Sequence, residues 1–386
     1  GILSVGGNVI RAGVVPTPAI AHLVQQMKAD CGVVISASHN PYEYNGIKFF
    51  NRDGFKLDDA IEDEIEALIR GSFGAQARKG REIGRTLERA EDALHSYVDY
   101  LTQSVEERFG GLKIVIDCAN GAASRAAPLV FEKLGAEAIF IGNTPDGMNI
   151  NDKVGSTYPE TLQKVVLREK ADLGLAFDGD ADRLIAVDEK GNIIDGDMLM
   201  YVCAKDMKDQ GCLSGNLLTA TVMSNIGLKV ALEEAGIDLQ LADVGDRYVL
   251  EMMRRTGSVL GGEQSGHIIF LDKNTTGDGL YAALRFTGAL LREGVKASEA
   301  VRGIHIFPQV LVNARVRNEN KNRYAEDEEI HATIDKIESQ FAGEGRVLIR
   351  PSGTEPLVRV MIEGADQQQL NEAAQSLSAL IEKKLG

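Results

Sequence analysis

Four short stretches of this chain carry residue types that could do chemistry. The first is Ile35-Ser36-Ala37-Ser38-His39-Asn40-Pro41. A serine that ends a strand, on a turn containing Asn-Pro, projects where strand C-termini bind ligands. Serine is a poor nucleophile unless activated. Ser38 therefore fits a carrier: an alcohol that forms a stable phosphate ester and gives it back. His39 is placed to tune it or relay a proton, and Lys48 follows shortly after. The competing interpretation is an ordinary turn whose hydroxyls cap the backbone.

The second stretch is Asp178-Gly179-Asp180-Ala181-Asp182-Arg183. Carboxylates at i, i+2 and i+4 on a glycine-containing loop can converge on one hard cation, and magnesium prefers such oxygen ligands. Three negative charges so close repel without a cation. The rival is calcium in an EF-hand, but the 12-residue loop of that motif is missing. Leu184-Ile185-Ala186-Val187 runs straight into a strand instead. A solvated acidic turn is disfavoured by the apolar residues on both sides.

The third is Gly261-Gly262-Glu263-Gln264-Ser265-Gly266-His267. In extended backbone Glu263 and Ser265 point the same way and offer an acceptor and a hydroxyl to neighbouring sugar hydroxyls. The glycines permit close backbone approach. His267 is either a general base or a packed core histidine. The fourth is Arg350-Pro351-Ser352-Gly353-Thr354-Glu355-Pro356, with Arg359 nearby. Backbone N–H groups in such a turn form an anion nest, and arginines add bidentate phosphate contacts. A tight turn with surface arginines is the alternative.

The elements that must position these loops are legible from periodicity and turn signals. Pro16-Thr17-Pro18 opens a helix around 19–28, and 32–36 is a short buried strand. Residues 57–69 form an acidic amphipathic helix with Ile61, Ile65, Leu68 and Ile69 on one face. Strand 112–117, a glycine turn and helix 125–134 make a βα unit; strand 173–177 ends at the three aspartates. Residues 184–187 and 192–194 pair as a hairpin across Glu189-Lys190-Gly191. A third α/β stretch begins near Asp197, and Pro308 introduces a smaller α+β unit.

At 386 residues the chain is too long for one ordinary core. The domains expected are 1–92 with the serine loop, 93–196 with the metal loop, 197–307 with the sugar loop and 308–386 with the phosphate loop. A net charge of −15 argues against bulk nucleic-acid binding, which needs a basic face. It also requires a local basic pocket for any anionic substrate. No stretch reaches the roughly 18 apolar residues of a membrane helix, and no signal peptide is expected at the start. Cys31, Cys118, Cys203 and Cys212 form no CxxC pair and fit reduced thiols in a cytoplasmic protein.

The order of the four loops resembles the α-D-phosphohexomutase superfamily over essentially the whole chain. Within it the loops look most like the phosphoglucosamine mutase branch. The features are the serine loop with Asn45-Gly46-Ile47-Lys48-Phe49-Phe50, the glutamine in Glu263-Gln264-Ser265-Gly266-His267, and Asp243-Val244-Gly245-Asp246-Arg247-Tyr248-Val249. The resemblance implies three related α/β mixed-sheet domains, the first truncated at its N-terminus, and a smaller C-terminal α+β domain around a central cleft. It implies phosphorylated Ser38 and Mg2+ held by Asp178, Asp180, Asp182 and an oxygen of Ser38's phosphate, with Arg183 close by. Arg247, Glu263, Ser265 and His267 would meet the sugar. Arg350, Ser352, Gly353, Thr354 and Arg359 would hold the non-reacting phosphate. Lys48, His39 and His267 are the candidate general bases.

The implied reaction is interconversion of glucosamine 6-phosphate and glucosamine 1-phosphate through a sugar 1,6-bisphosphate, feeding amino-sugar nucleotide and cell-wall precursor synthesis. A homodimer is among the assemblies this family leaves open. The departure is at the front. Family members carry a Gly-Thr-Asp-Gly-x-Arg-Gly loop and a Gly-Arg-Asp-x-Arg loop, and neither precedes Ser38 here. Gly1 is no natural initiator, so missing N-terminal sequence is expected, with a sheet edge exposed beside the serine loop. The rival readings are a glucose or mannose phosphate mutase, a non-catalytic sugar-phosphate-binding remnant and, more weakly, a Mg2+-dependent phosphatase.

Overall fold

The computed structural model describes residues 1–71, 77–341, 345–352 and 355–386. Gly353 and Thr354 of the phosphate loop lie outside the described residues. The chain divides into two compact units: residues 1–223 with 235–303, and residues 224–234 with 304–386. The expected boundaries at 92 and 196 thus fall inside the larger unit, and 224–234 leaves its sequence neighbours for the C-terminal unit.

The larger unit contains two α/β sheets. In one, the spatial order is Glu137–Ile141, Lys113–Asp117, Leu173–Phe177, Leu184–Asp188 and Ile193–Ile194. The first three strands run parallel, Leu184–Asp188 runs antiparallel to them, and Ile193–Ile194 turns back antiparallel to Leu184–Asp188. Leu173–Phe177 and Leu184–Asp188 are buried at every residue, as expected of strands covered on both faces. Helix Glu160–Glu169 packs on Lys113–Asp117 and Leu173–Phe177, and helix Gly279–Glu293 contacts Leu173–Phe177 and Leu184–Asp188. The second sheet follows the same plan: Asp238–Ala242, Leu217–Thr221 and Leu260–Gly262 run parallel, then Ile268–Phe270 reverses. Both sheets therefore contain an antiparallel pair whose connecting loop carries an expected site, 178–183 in one and 263–267 in the other.

The serine loop belongs to a smaller element. Cys31–Ile35 pairs antiparallel with Ile47–Asn51, its only ladder partner among the described residues. Helix Thr17–Gln26 packs against both strands, with Ala21, Val34 and Phe50 forming the local core. The helix expected at 57–69 exists as Asp59–Arg70, and its apolar stripe is real. No residue of it is buried, and Ile69 is 77% exposed. Periodicity predicted the helix but not the burial of its stripe: Ile65 is half-buried, while Ile61, Leu68 and Ile69 are exposed.

The smaller unit has the antiparallel order Gln309–Arg315, Leu357–Glu363, Arg346–Pro351, backed by helices Glu328–Gln340 and Gln367–Leu385. Val358, Val360 and Ile362 alternate inward and meet Ile330, Ile337, Leu370, Leu377 and Ile381 in one core. Helix Ile226–Glu234 joins this unit. At its start Asn225 Nδ2 donates to Glu363 Oε1 at 3.2 Å and to the Phe307 carbonyl at 2.9 Å. Glu363 is fully buried, and Arg346 Nε donates to its other oxygen at 2.5 Å.

Candidate active site

Strand Cys31–Ile35 ends one residue before Ser36, whose hydroxyl oxygen accepts from Ser38 N–H at 2.9 Å. Asn40 N–H closes the turn on the Ala37 carbonyl at 3.0 Å. Ser38 itself is left-handed, with φ of +53°. A non-glycine residue there costs roughly 1–2 kcal/mol, and such strain persists only where surrounding structure imposes it. In this conformation the Ser38 hydroxyl donates to Asp178 Oδ2 at 2.7 Å. The Ser38 carbonyl accepts from Asn151 Nδ2 at 2.9 Å, and the same amide group donates to the Asn40 carbonyl at 2.9 Å.

The metal loop is the turn of the hairpin in which Phe177 faces Leu184. Ala181, with φ of +57°, bends it, and Ala181 N–H donates to the Asp178 carbonyl at 3.0 Å. As a result oxygens of Asp178, Asp180 and Asp182 lie within 4.8 Å of one another, and all three residues are buried. Thr17, at the start of its helix, ties Asp180 from outside the loop: its N–H donates to the Asp180 carbonyl and its hydroxyl to Oδ2 at 2.7 Å. Asp180 Oδ1 is buried with no hydrogen-bond partner. An all-oxygen donor set with an unsatisfied buried oxygen fits a hard divalent cation.

Lys48 comes from Ile47–Asn51, so the hairpin brings it and the serine loop to the same carboxylates. Its Nζ lies 2.6 Å from Asp180 Oδ2 and 3.3 Å from Asp182 Oδ2. Burial works to strip the Lys48 proton, but Asp182 and Asp180 outweigh it and hold the ammonium above the ordinary lysine range. Burial, then Asp182 and Asp180, push the Asp178 carboxyl well up, against the Ser38 hydrogen bond and Arg183. For Asp182 burial acts in the same upward sense, yet His267, with Lys48 and Lys56, holds it far below the usual carboxylate range. Arg183 N–H donates to Asp178 Oδ1 at 3.1 Å, and its Nε lies 3.9 Å from Asp182 Oδ1.

His267 resolves its ambiguity toward the interior. It is 3% exposed. Its Nε2 accepts from Gly277 N–H at 3.1 Å, and its Nδ1 lies 3.6 Å from Asp182 Oδ1. On the other side Nε2 lies 3.7 Å from Asp246 Oδ2, and Asp246 is paired with Lys56. Burial raises the Asp246 carboxyl, but His267 and Lys56 outweigh it and hold it at about 2. His39, by contrast, is exposed. Burial of its ring and then Arg183 lower its pKa below the ordinary histidine value, against Asp182 and Asp180.

The sugar loop is stitched onto the metal loop by backbone bonds. Leu184 N–H donates to the Gly266 carbonyl at 3.0 Å, and Gly279 N–H to the Ala181 carbonyl at 3.0 Å. Gly266 has φ of +91°, and a Cβ there would sit 2.0 Å from the Leu184 carbonyl oxygen, so only glycine fits. Glu263 is half-buried and accepts from Gly245 N–H at 3.1 Å; Ser265 is exposed. Arg247 pairs with Asp59 and, at 2.9 Å, with Glu251, so its guanidinium is engaged along its own helix and on Asp59–Arg70. A cavity of about 690 Å³ opens beside Ser38, lined also by Tyr42, Tyr44, Gly179 and Asp180. A second, of about 440 Å³, is lined by Lys56, Asp246, Arg247 and His267.

In the smaller unit Arg350 and Arg359 stand directly opposite each other on paired strands. Like charges in that register destabilise a sheet; Arg359 lies 3.9 Å from Glu355, and Arg350 has no ion pair among the described residues. Ser352 is buried, and its hydroxyl oxygen accepts from Glu355 N–H at 3.1 Å. Lys321 Nζ spans the loop, donating to the carbonyls of Ser352 at 2.6 Å and Glu355 at 3.2 Å. Sequence reasoning missed Lys321, Thr17 and Asn151. Only Thr17 had a signal, its place between two prolines at a helix start.

Models of the phosphoglucomutase/phosphomannomutase family match four successive segments: alpha/beta/alpha domain I at 1–74, domain II at 95–191, domain III at 195–306 and the C-terminal domain at 311–380. The phosphoglucosamine mutase of Clostridioides difficile (strain 630) is 55% identical over 386 residues, covering 100% of this chain and 86% of that protein. Among solved structures, a phosphoglucomutase/phosphomannomutase family protein from Burkholderia thailandensis superposes with a TM-score of 0.79 at 24% identity, covering 99% of this chain and 84% of that one. The N-acetylphosphoglucosamine mutase of Aspergillus fumigatus, solved with GlcNAc-6P and magnesium, gives a TM-score of 0.69 at 18% identity over 100% of this chain and 98% of that one.

Proposed function

Because the chain belongs to the phosphoglucomutase/phosphomannomutase family, in its phosphoglucosamine mutase branch, we propose that Ser38 carries the phosphoryl group in the interconversion of glucosamine 6-phosphate and glucosamine 1-phosphate. The observation that carries this reading is the Ser38 hydroxyl held 2.7 Å from Asp178 at the edge of a buried three-carboxylate cluster.

Phosphorylated Ser38 donates to the free hydroxyl of the hexosamine phosphate. The serine O–P bond breaks, the sugar O–P bond forms, and the hydroxyl proton passes to a base. The bisphosphate turns around, and its other phosphoryl group returns to Ser38. Asp178, Asp180 and Asp182 would hold the Mg2+ on which the family depends. Bound there, the ion supplies charge neutralisation at the transferring group, where most phosphoryl-transfer catalysis lies. Arg183 and Lys48 add positive charge beside it. Lys48 is cationic as placed and suits donation rather than proton removal. His39, exposed and neutral at pH 7, is the base most open to a bound sugar. His267 orients Asp182. Glu263 and Ser265 take sugar hydroxyls, and Arg247 is freed to do so when it leaves Asp59. Arg350, Ser352 and Arg359, with Gly353 and Thr354, hold the non-reacting phosphate.

The test is intact-mass measurement after incubation with glucosamine 1,6-bisphosphate and Mg2+. The expected result is a gain of one phosphoryl group that Ser38→Ala abolishes. No gain, or a gain that survives Ser38→Ala, overturns the assignment. Parallel turnover of glucosamine, glucose and mannose phosphates decides the sugar, and equal or faster mannose turnover would move the chain to another branch.

A further inference from the structure

The Ser38 loop is held by a residue that no part of the reaction assigns. Asn151 lies 113 positions away in sequence, on the segment that follows strand Glu137–Ile141. Its single amide nitrogen uses both hydrogens on the serine loop, one on the Ser38 carbonyl and one on the Asn40 carbonyl, each at 2.9 Å. The residue is itself fixed. Its backbone is left-handed, with φ of +58°, and its N–H donates to the Ala119 carbonyl at 2.9 Å.

Gly179 packs against the Ser38 carbonyl oxygen beside the Asn151 amide. A Cβ on that glycine would sit 2.5 Å from the Ser38 oxygen and 2.8 Å from Asn151 Nδ2. Gly179 immediately follows Asp178, which accepts the Ser38 hydroxyl. The carbonyl of Ser38 is therefore bonded by Asn151 and packed against the metal loop while its hydroxyl is aimed at the same loop. Ser38 sits in a conformation that an unheld L-residue leaves, and its loop has one strand partner among the described residues. A carrier that must present the same oxygen twice per turnover needs that aim restored each time.

We propose that Asn151 is a positioning residue: its two amide hydrogens hold the Ser38 loop in the left-handed conformation that points Oγ at the carboxylate cluster. The proposal rests on the assignment of Ser38 as phosphoryl carrier. Both amide hydrogens of Asn151 are spent on the serine loop, so its loss should slow transfer without weakening substrate binding.

The experiment uses the full chain and follows phosphoryl transfer from glucosamine 1,6-bisphosphate to Ser38 by rapid quench and intact mass. Asn151→Ala removes both donors. Asn151→Asp keeps the shape and removes them at neutral pH, and it guards against misfolding of the alanine variant. Expected at pH 7.5 is a loss of about 30- to 100-fold in the transfer rate for both, with half-saturation by the bisphosphate within about threefold of the parent. The Asn151→Asp rate, relative to the parent, should rise as pH falls toward 5, because the protonated acid regains one donor. Transfer at the parent rate in either variant overturns the proposal. So does a rate loss matched by an equal loss of bisphosphate affinity, or an Asn151→Asp defect that is flat with pH. If the parent chain takes no phosphoryl group, the Ser38 assignment falls and this proposal with it; a phosphorylated parent with unaffected variants sinks this proposal alone.

Discussion

Replacing Lys48 by methionine removes the ammonium that lies 2.6 Å from Asp180 and 3.3 Å from Asp182. Methionine keeps most of the aliphatic stem, and Thr17 still fixes Asp180 through its hydroxyl at 2.7 Å, so the change is chiefly electrostatic. Two ionised carboxylates whose oxygens lie within 4.8 Å of each other repel by at least about 3.5 kcal/mol at an effective dielectric near 20. Removing one partner of a buried pair costs about 3–5 kcal/mol, and Lys48 is only 23% exposed, so little of this is lost to screening. For a unit of this size that is roughly 6–10 °C in the melting temperature without added metal. Mg2+ should repair the loss, because a ligand that binds only the folded site stabilises it by mass action. Thermal melts of parent and Lys48→Met across a Mg2+ titration check this. The variant should start lower, gain more degrees, and reach half its gain at about a tenfold lower Mg2+ concentration, having lost a competing cation. Equal melting without metal and identical Mg2+ responses would refute the idea that Lys48 neutralises this cluster.

Asp278 caps helix Gly279–Glu293 and accepts from Tyr97 Oη at 2.8 Å and from Tyr281 N–H at 2.9 Å. Burial lifts its carboxyl to about 6, against those hydrogen bonds. The folded state thus binds the proton more tightly than the unfolded chain, and the stability this contributes is full below about pH 4 and lost as pH rises through about 6. Asp278→Asn retains the acceptor and carries no charge, so its melting advantage should grow between pH 4 and 7, by up to about 3 kcal/mol; an advantage that is flat or shrinks over that range contradicts the argument. In the smaller unit, Arg346→Met should leave Glu363 buried without its cation and cost about 3–5 kcal/mol. Amide hydrogen exchange should then accelerate in strands Gln309–Arg315 and Leu357–Glu363, and unchanged protection there would show that the pair is not what holds them.

Features local in sequence are the ones that the sequence makes legible. The three aspartates converge because a hairpin turn folds residues two apart onto one side, and both the turn and the flanking apolar strands are written in a short run of residues. Ser38 and Lys48 sit on one hairpin, so their shared site is also within reach of sequence reasoning. Asn151 and Thr17 are not, because an asparagine or threonine looks like any loop or cap residue until a contact spanning 113 or 163 positions is formed. His267 has two readings from its motif alone, and only the packing of Gly277 and Asp182 around its ring separates them. Helix Gly196–Asp209 was not among the expected elements, although Asp195 caps it by accepting from Met198 N–H. The stripe on Asp59–Arg70 shows the converse: periodicity specifies a helix face, not what covers it.

Helix Ile226–Glu234 has a consequence for how this protein can be recombined with its relatives. A crossover at Pro308, where the sequence pattern changes, would take the sheet and both long helices of the C-terminal unit from one parent and leave this helix to the other. Asn225 and Glu363, and the Ser224 carbonyl that accepts from Arg346 at 2.5 Å, would then be inherited from different parents. The heritable module is discontinuous, residues 224–234 together with 304–386, and exchanges that respect it keep the buried glutamate with its partners.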